Sequence, residues 1–308
     1  AILLQQVREN FATALKVRPD EIEFLGESDL GFQLGISGLL KSDSKLIYSS
    51  IDRQRIFAVA ANEENKGRKV DCLSVNQNGA IASYAAQEND VVVWQVANGE
   101  TGNLQSSNPT SGLIFADCTA SGVDALPNFE YHTALFDSSS WQGPAGVGIL
   151  VVKAPDKWRN PLPHNDLTRV PGSYSIPLVI ASSIALTAHL SQEDIRGNLK
   201  KYIIEFVSSQ ISEVDIASNL DGLSKFVSFS VDKVEADRLL LELEAAGFAV
   251  DSGSACKSAD MQPSHVLAAM NRPITGNIRL TLHKDITEQM VKDFCQALKI
   301  TIAKLRKN

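Results

Sequence analysis

The sequence predicts an α/β protein: a large, doubly wound, mainly parallel sheet followed by a smaller α+β domain. Three observations carry that expectation. The runs VVVWQV (91–96), LIFADCT (113–119), TALFDSS (133–139) and GVGILVVK (146–153) are almost continuously apolar, as strands covered by helices on both faces are. Helical patterns alternate with shorter strand-like runs ahead of them, which is the signature of crossover connections. Beyond about residue 206 the pattern changes to isolated strands and amphipathic helices.

Taken in order, residues 2–17 form an amphipathic helix, with Leu3, Val7, Phe11 and Leu15 at helical spacing. EIEFL (21–25) is a short strand, 30–40 a helix, 46–49 a strand, 53–63 a helix and 70–75 a strand. The four apolar runs follow. Residues 155–171, with Pro161, Pro163 and Pro171, read as loop. A helix starts near Ile176 and is expected to continue toward Phe206. Then come a strand (225–231), a helix (233–246), a strand (248–251), a loop, a helix from Pro263, a strand (277–282) and a last helix from Thr287. The expected domains are 1–175, with a helix shared to about 206, and 207–308.

The 308 residues carry a formal charge of −7, with 44% hydrophobic and 21% charged residues. No basic stripe is present, so nucleic-acid binding is not expected. Lys304, Arg306 and Lys307 sit where a helix C-terminus favours cations. No run reaches the roughly 18 apolar residues of a membrane span, and no secretory signal is visible. Cys72, Cys118, Cys256 and Cys295 are widely separated, without the spacing of a zinc site or disulfide framework. A cytoplasmic location and no metal are expected. Cys72, Cys118 and Cys295 read as core residues.

In doubly wound sheets, ligands sit beyond the carboxyl ends of the strands. Asn98, Asp117 and the Asp137–Ser140 run stand at such ends. Asp117 reads equally as a ligand partner or as the cap of a turn. Asn98, followed by Gly99, reads equally as a contact or as an Asn-Gly turn. Arg279 lies among Ile278, Leu280 and Leu282 and needs an anionic partner or an exposed face. Three successive serines, Ser138 to Ser140, read as a turn rather than a nucleophile, with no His/Asp pairing visible. His265 falls in the first turn of its helix. Cys256, in VDSGSACKSADMQPSHVL (250–267), is a thiol on a loop, with Lys257 beside it to favour the thiolate.

That loop resembles the active-site cysteine loop of the cysteine desulfurases, in the class V aminotransferase group. VANGETGNLQ (96–105), FADCTA (115–120), GNIRLTL (276–282) and FDSSSWQGPAGVG resemble further segments of the same family, so the resemblance covers nearly the whole chain. It implies the class V aminotransferase fold, with a large sheet domain and a small C-terminal domain. It also implies pyridoxal phosphate as cofactor, a homodimer, and sulfur transfer from cysteine. The given sequence opens on Ala1, and the resemblance starts downstream of the family segment that closes over substrate.

Carried over residue by residue, Asp117 takes the position that pairs with the pyridinium nitrogen, and Asn98 that of the phenolate contact. Arg279 takes the substrate-carboxylate position and Cys256 the nucleophile position. Gly172 and Ser173 resemble a Gly-Thr pair that reaches the phosphate of a neighbouring subunit. Other positions depart from the pattern. Gapless alignment puts Ser140 where the cofactor lysine belongs, and serine has no amine for a Schiff base. The stacking histidine falls on Arg53, or on Gln54 one register away, and a glutamine falls on Ala120. The phosphate-binding segment falls on Glu27, Ser28 and Asp29. At about 4 Å and an effective dielectric near 20, each unit-charge repulsion of a phosphate there costs roughly 4 kcal/mol.

The expectation is a cysteine desulfurase-like protein with a degenerate cofactor site, able to accept sulfur on Cys256 or to bind an anion at Arg279. Two alternatives stand beside it. One is an active enzyme holding pyridoxal phosphate non-covalently. The other is a non-catalytic scaffold or regulatory partner of an active paralogue. Expected partners are a second copy, a sulfur-acceptor protein or a paralogous desulfurase.

Overall fold

A computed structural model describes residues 2–165, 168–172, 174–252 and 263–307. The chain divides into two compact units. The first comprises Ala1–Ser74, Ile81–Ala97 and Gln105–Ser191; the second comprises Val75–Ala80, Asn98–Leu104 and Gln192–Asn308.

The first unit is built on a seven-stranded sheet of order β1-β7-β6-β5-β4-β2-β3. Its strands are β1 (Ile22–Leu25), β2 (Leu46–Ser49), β3 (Val70–Leu73), β4 (Val91–Gln95), β5 (Leu113–Asp117), β6 (Thr133–Asp137) and β7 (Gly148–Val152). From β3 to β6 the neighbours are parallel. β7 runs antiparallel to β6, and β1 antiparallel to β7. Every residue of β4, β5 and β7 is buried, which is why these segments read as unbroken apolar runs.

Helices α1 (Ile2–Leu15), α2 (Ser28–Ser37), α3 (Gln54–Asn65) and α4 (Ile176–Ser191) complete the unit. α2 packs on β6 and β7, and α1 on α4. Phe32, Leu34 and Ile36 of α2 join Val93, Phe115, Leu135 and Leu150 in one buried cluster. The start of α2 lies so close to the sheet that a Cβ on Gly148 would sit 2.7 Å from Ser28 Cα. Only glycine allows that approach.

The second unit carries a three-stranded antiparallel sheet of order β10-β9-β8. It is formed by β8 (Val214–Ile216), β9 (Phe226–Val231) and β10 (Asn277–Thr281). Around it lie α5 (Arg196–Gln210), α6 (Ala236–Ala245), α7 (His265–Ala269) and α8 (Glu288–Leu305). α8 buries Val291, Phe294, Cys295, Leu298, Ile302 and Leu305 at helical spacing against Val227, Phe229, Ile278 and Leu280. Thr287 caps it by accepting a hydrogen bond from the Met290 amide at 3.2 Å.

Several sequence expectations need correction. The helix expected from Ile176 toward Phe206 is two helices, α4 and α5. The strand expected at 248–251 is a single bridge between Asp251 and Arg279. β8 was not anticipated, because three half-buried residues leave no readable alternation. Cys118 and Cys295 are buried as expected, but Cys72 is exposed, on the edge strand β3. Among the described residues, no helix is long and apolar enough to cross a membrane.

Candidate functional site

In the first unit, polar side chains gather at the carboxyl ends of β5 and β6. β6 ends at Asp137, whose Oδ1 accepts the Ser139 amide (2.8 Å) and the Ser139 hydroxyl (2.5 Å). This Asx-type cap starts the short 3₁₀ turn Ser138–Trp141, and Gln142, left-handed at φ 61°, ends it. The other carboxylate oxygen of Asp137 reaches across to α2 and accepts the Ser28 hydroxyl at 2.5 Å. Ser28 is the first residue of α2, and Glu27 before it caps with no side chain. Ser140 donates from Oγ to the Asp137 carbonyl at 2.7 Å. The Ser140 side chain nests against Gly122, where an added Cβ would lie 2.2 Å from its Oγ. Ser138 is fully buried and donates to Ser182 on α4 at 2.7 Å.

At the end of β5, Asp117 is 4% exposed. Its Oδ1 accepts the Thr119 amide (2.9 Å) and hydroxyl (2.6 Å), so the side chain caps the turn after β5. Its Oδ2 lies 3.6 Å from Nε of Arg53, the residue preceding α3. Asp52 is buried beside them. It accepts the Ser49 amide (2.7 Å) and the Gln95 side chain (2.9 Å). Burial first, and then the charge of Asp117, push its carboxyl well above the usual carboxylate range. Farther along α2, Asp29 is paired with Arg55 at 2.6 Å.

The second unit holds the other predicted residues. Asn98 is buried, and its Oδ1 accepts the amides of Glu100 (2.9 Å) and Thr101 (3.0 Å). The side chain thus organises an Asn-Gly turn, closed by the Gly102 amide on the Asn98 carbonyl at 2.9 Å. Arg279 on β10 forms an ion pair with Asp251. The two backbones also exchange hydrogen bonds of 3.1 and 2.7 Å. Nη1 of Arg279 lies 3.5 Å from the Gly99 carbonyl, while its Nε is buried with no acceptor among the described residues. Glu100 is buried, and burial raises its carboxyl against the opposing effects of Ser264 and the Arg279 charge. Ser264 caps α7 by accepting the Leu267 amide at 3.1 Å.

Ser28, Asp117 and Ser140 therefore belong to the first unit, and Asn98 and Arg279 to the second. Cys256 and Ser173 lie outside the described residues. Sequence reasoning singled out the Asp137–Ser140 run but not the pairing of Asp137 with Ser28, and it missed Asp251 on Arg279. The one readable signal was a carboxylate at the end of each apolar run, as in TALFD and FAVD. The buried pair Asp52–Gln95 carried no such signal.

No profile of a known protein family matches the chain. A cysteine desulfurase IscS from Dictyoglomus turgidum is 26% identical over 341 residues, covering 98% of this chain and 84% of the relative. Cysteine desulfurase 2 from Trichormus variabilis is 27% identical over 331 residues, covering 98% and 83%. Among solved structures, a NifS-like protein superposes with a TM-score of 0.84 at 20% identity, over 98% of this chain and 88% of that one. A cysteine desulfurase from Thermococcus onnurineus NA1 gives 0.82 at 17% identity, over 98% and 84%. The likeness in fold extends to the seven-stranded sheet and the small antiparallel sheet alike. Over nearly its full length the chain is similar in sequence to cysteine desulfurases, and it shares the fold of a NifS-like protein.

Proposed function

We propose that this chain is a cysteine desulfurase homologue that runs no lysine-bound pyridoxal phosphate chemistry. In this reading it serves sulfur transfer as a non-catalytic subunit, paired with a second copy or with a cofactor-holding paralogue. The observation that carries the reading is Ser140. It stands at the lysine position of the resemblance, and its hydroxyl is bonded to the Asp137 carbonyl at 2.7 Å. A hydroxyl offers no amine to an aldehyde.

The surrounding groups do not fit the cofactor either. When bound, pyridoxal phosphate supplies an electron sink that needs a carboxylate free to pair with its ring nitrogen. Asp117 Oδ2 instead faces Arg53. A phosphate dianion at the start of α2 would meet the Asp137 carboxylate already bonded to Ser28. No reaction step is therefore assigned to the cofactor in this chain. What supports a subunit role is that the fold and both cores are kept while the amine position is not.

The test is spectroscopic. Pyridoxal phosphate is added to the purified protein, and absorbance above 400 nm is followed before and after borohydride. No saturable band and no one-to-one borohydride-stable adduct confined to a single lysine are expected. A saturable, one-to-one adduct on one lysine overturns the proposal.

A further inference from the structure

Three positions that the family resemblance assigns to ligand charge already hold a partner from the chain itself. Asp117 holds the Arg53 guanidinium at 3.6 Å. The first residue of α2 holds the Asp137 carboxylate at 2.5 Å through the Ser28 hydroxyl. Arg279 holds the Asp251 carboxylate. Each pair lies within one unit, and its members are far apart in sequence or on different elements.

The signs are the informative part. A cation sits on the aspartate, a carboxylate at the start of a ten-residue helix, and a carboxylate on the arginine. A helix N-terminus attracts anions, and Asp137 supplies one permanently because β6 delivers it there. Asp251 is held on Arg279 twice, through the side chain and through the paired backbones. Glu100 adds a buried carboxyl near the same arginine. We propose that, within the first unit, the Arg53–Asp117 and Asp137–Ser28 pairs take the place of a ligand's ring cation and phosphate, and that, within the second, Asp251 on Arg279 takes the place of a ligand carboxylate. The chain thereby holds its ligand positions neutralised without any ligand. The inference rests on the reading of the previous section, yet it can fail separately from it.

The experiment uses pyridoxamine phosphate, which carries the ring and the phosphate but no aldehyde. Thermal unfolding of the whole chain is followed over a titration to millimolar probe. No shift is expected for the natural chain. The combined variant D137S/R53H is expected to gain a saturable rise of roughly 2–4 °C at about tenfold over its Kd. A saturable rise in the natural chain overturns the inference, as does a folded double variant with no rise. If that variant loses its cooperative transition, D251S decides. By ligand-observed NMR it should bind L-alanine where the natural chain does not, and equal behaviour of the two overturns the inference. A saturable, one-to-one pyridoxal adduct on one lysine without a pyridoxamine phosphate shift would sink only the earlier reading. A shift without an adduct would sink only this one.

Discussion

Arg53 Nε lies 3.6 Å from Asp117 Oδ2, joining the residue ahead of α3 to the carboxyl end of β5. The arginine side chain is 41% exposed and the aspartate side chain 5%, so solvent screens one partner and not the other. Such a pair contributes more than a surface bridge and less than a buried one. R53A is expected to destabilise the fold by about 1 kcal/mol, with Thr119 still holding Asp117 in place. Urea unfolding measures it. A change within error at low salt would mean that the pair contributes nothing.

Asp52 predicts a pH dependence. Its folded carboxyl is raised above the unfolded value, near 3.9 for an aspartate. Between those two values the folded chain binds more protons than the unfolded one. This group's contribution to stability is therefore full below the unfolded value and falls as pH rises through the folded one. In D52N the amide oxygen keeps the Ser49 amide, and the Gln95 side chain can turn to accept from the new NH₂ group. The stability of D52N relative to the natural chain should thus be more favourable at pH 8 than at pH 5. Equal differences at both pH values would rule out Asp52 as the source.

Lys200 makes the opposite prediction in the second unit. It is 1% exposed on α5 and donates to the Leu223 carbonyl at 3.0 Å. Burial lowers its ammonium to about 8, against about 10.4 unfolded. The cost of burying the charge is fully present below pH 8. It is relieved as pH rises from 8 to 10.4, because the folded chain sheds its proton first. The stability of the natural chain relative to K200M should therefore rise across that window. A flat difference would show that water or a counter-charge reaches the amine.

Gly148 controls how α2 meets the sheet. A methyl group there would lie 2.7 Å from Ser28 Cα, which is backbone and cannot swing aside. G148A is expected to cost roughly 1–3 kcal/mol and to move Ser28 off Asp137. Denaturant unfolding gives the first number. Finding G148A as stable as the natural chain would mean that α2 shifts freely on β7.

The sheet was legible because β4, β5 and β7 are buried at every residue, and such strands announce themselves as apolar runs. The break between α4 and α5 was not. Residues 192–195 (Gln-Glu-Asp-Ile) include neither glycine nor proline to mark it. Asp117, Ser28, Ser140 and Arg279 were visible as positions, because each lies in a quotable motif. Their partners were hidden. Asp137 and Ser28 are 109 residues apart, and Arg279 and Asp251 are 28 apart. Pairing across such distances is decided by strand order and register, which hydrophobic periodicity does not encode.

Ser140 allows the sharpest separation of causes. If, on the proposed reading, a missing amine at residue 140 were the whole obstacle to the cofactor, S140K would restore one at the end of the turn after β6. The local geometry argues against that. The Ser140 side chain nests on Gly122, Asp137 stays bonded to Ser28, and Arg53 stays on Asp117. A lysine there must leave the Gly122 contact, and the aldehyde's phosphate still meets a carboxylate. S140K alone is therefore expected to show no absorbance above 400 nm with pyridoxal phosphate. S140K combined with D137S and R53H is expected to show one that borohydride traps on residue 140 by peptide mass mapping. A trapped adduct in S140K alone, with affinity equal to the triple variant, would show that the amine was the sole obstacle and that the neighbouring pairs are incidental.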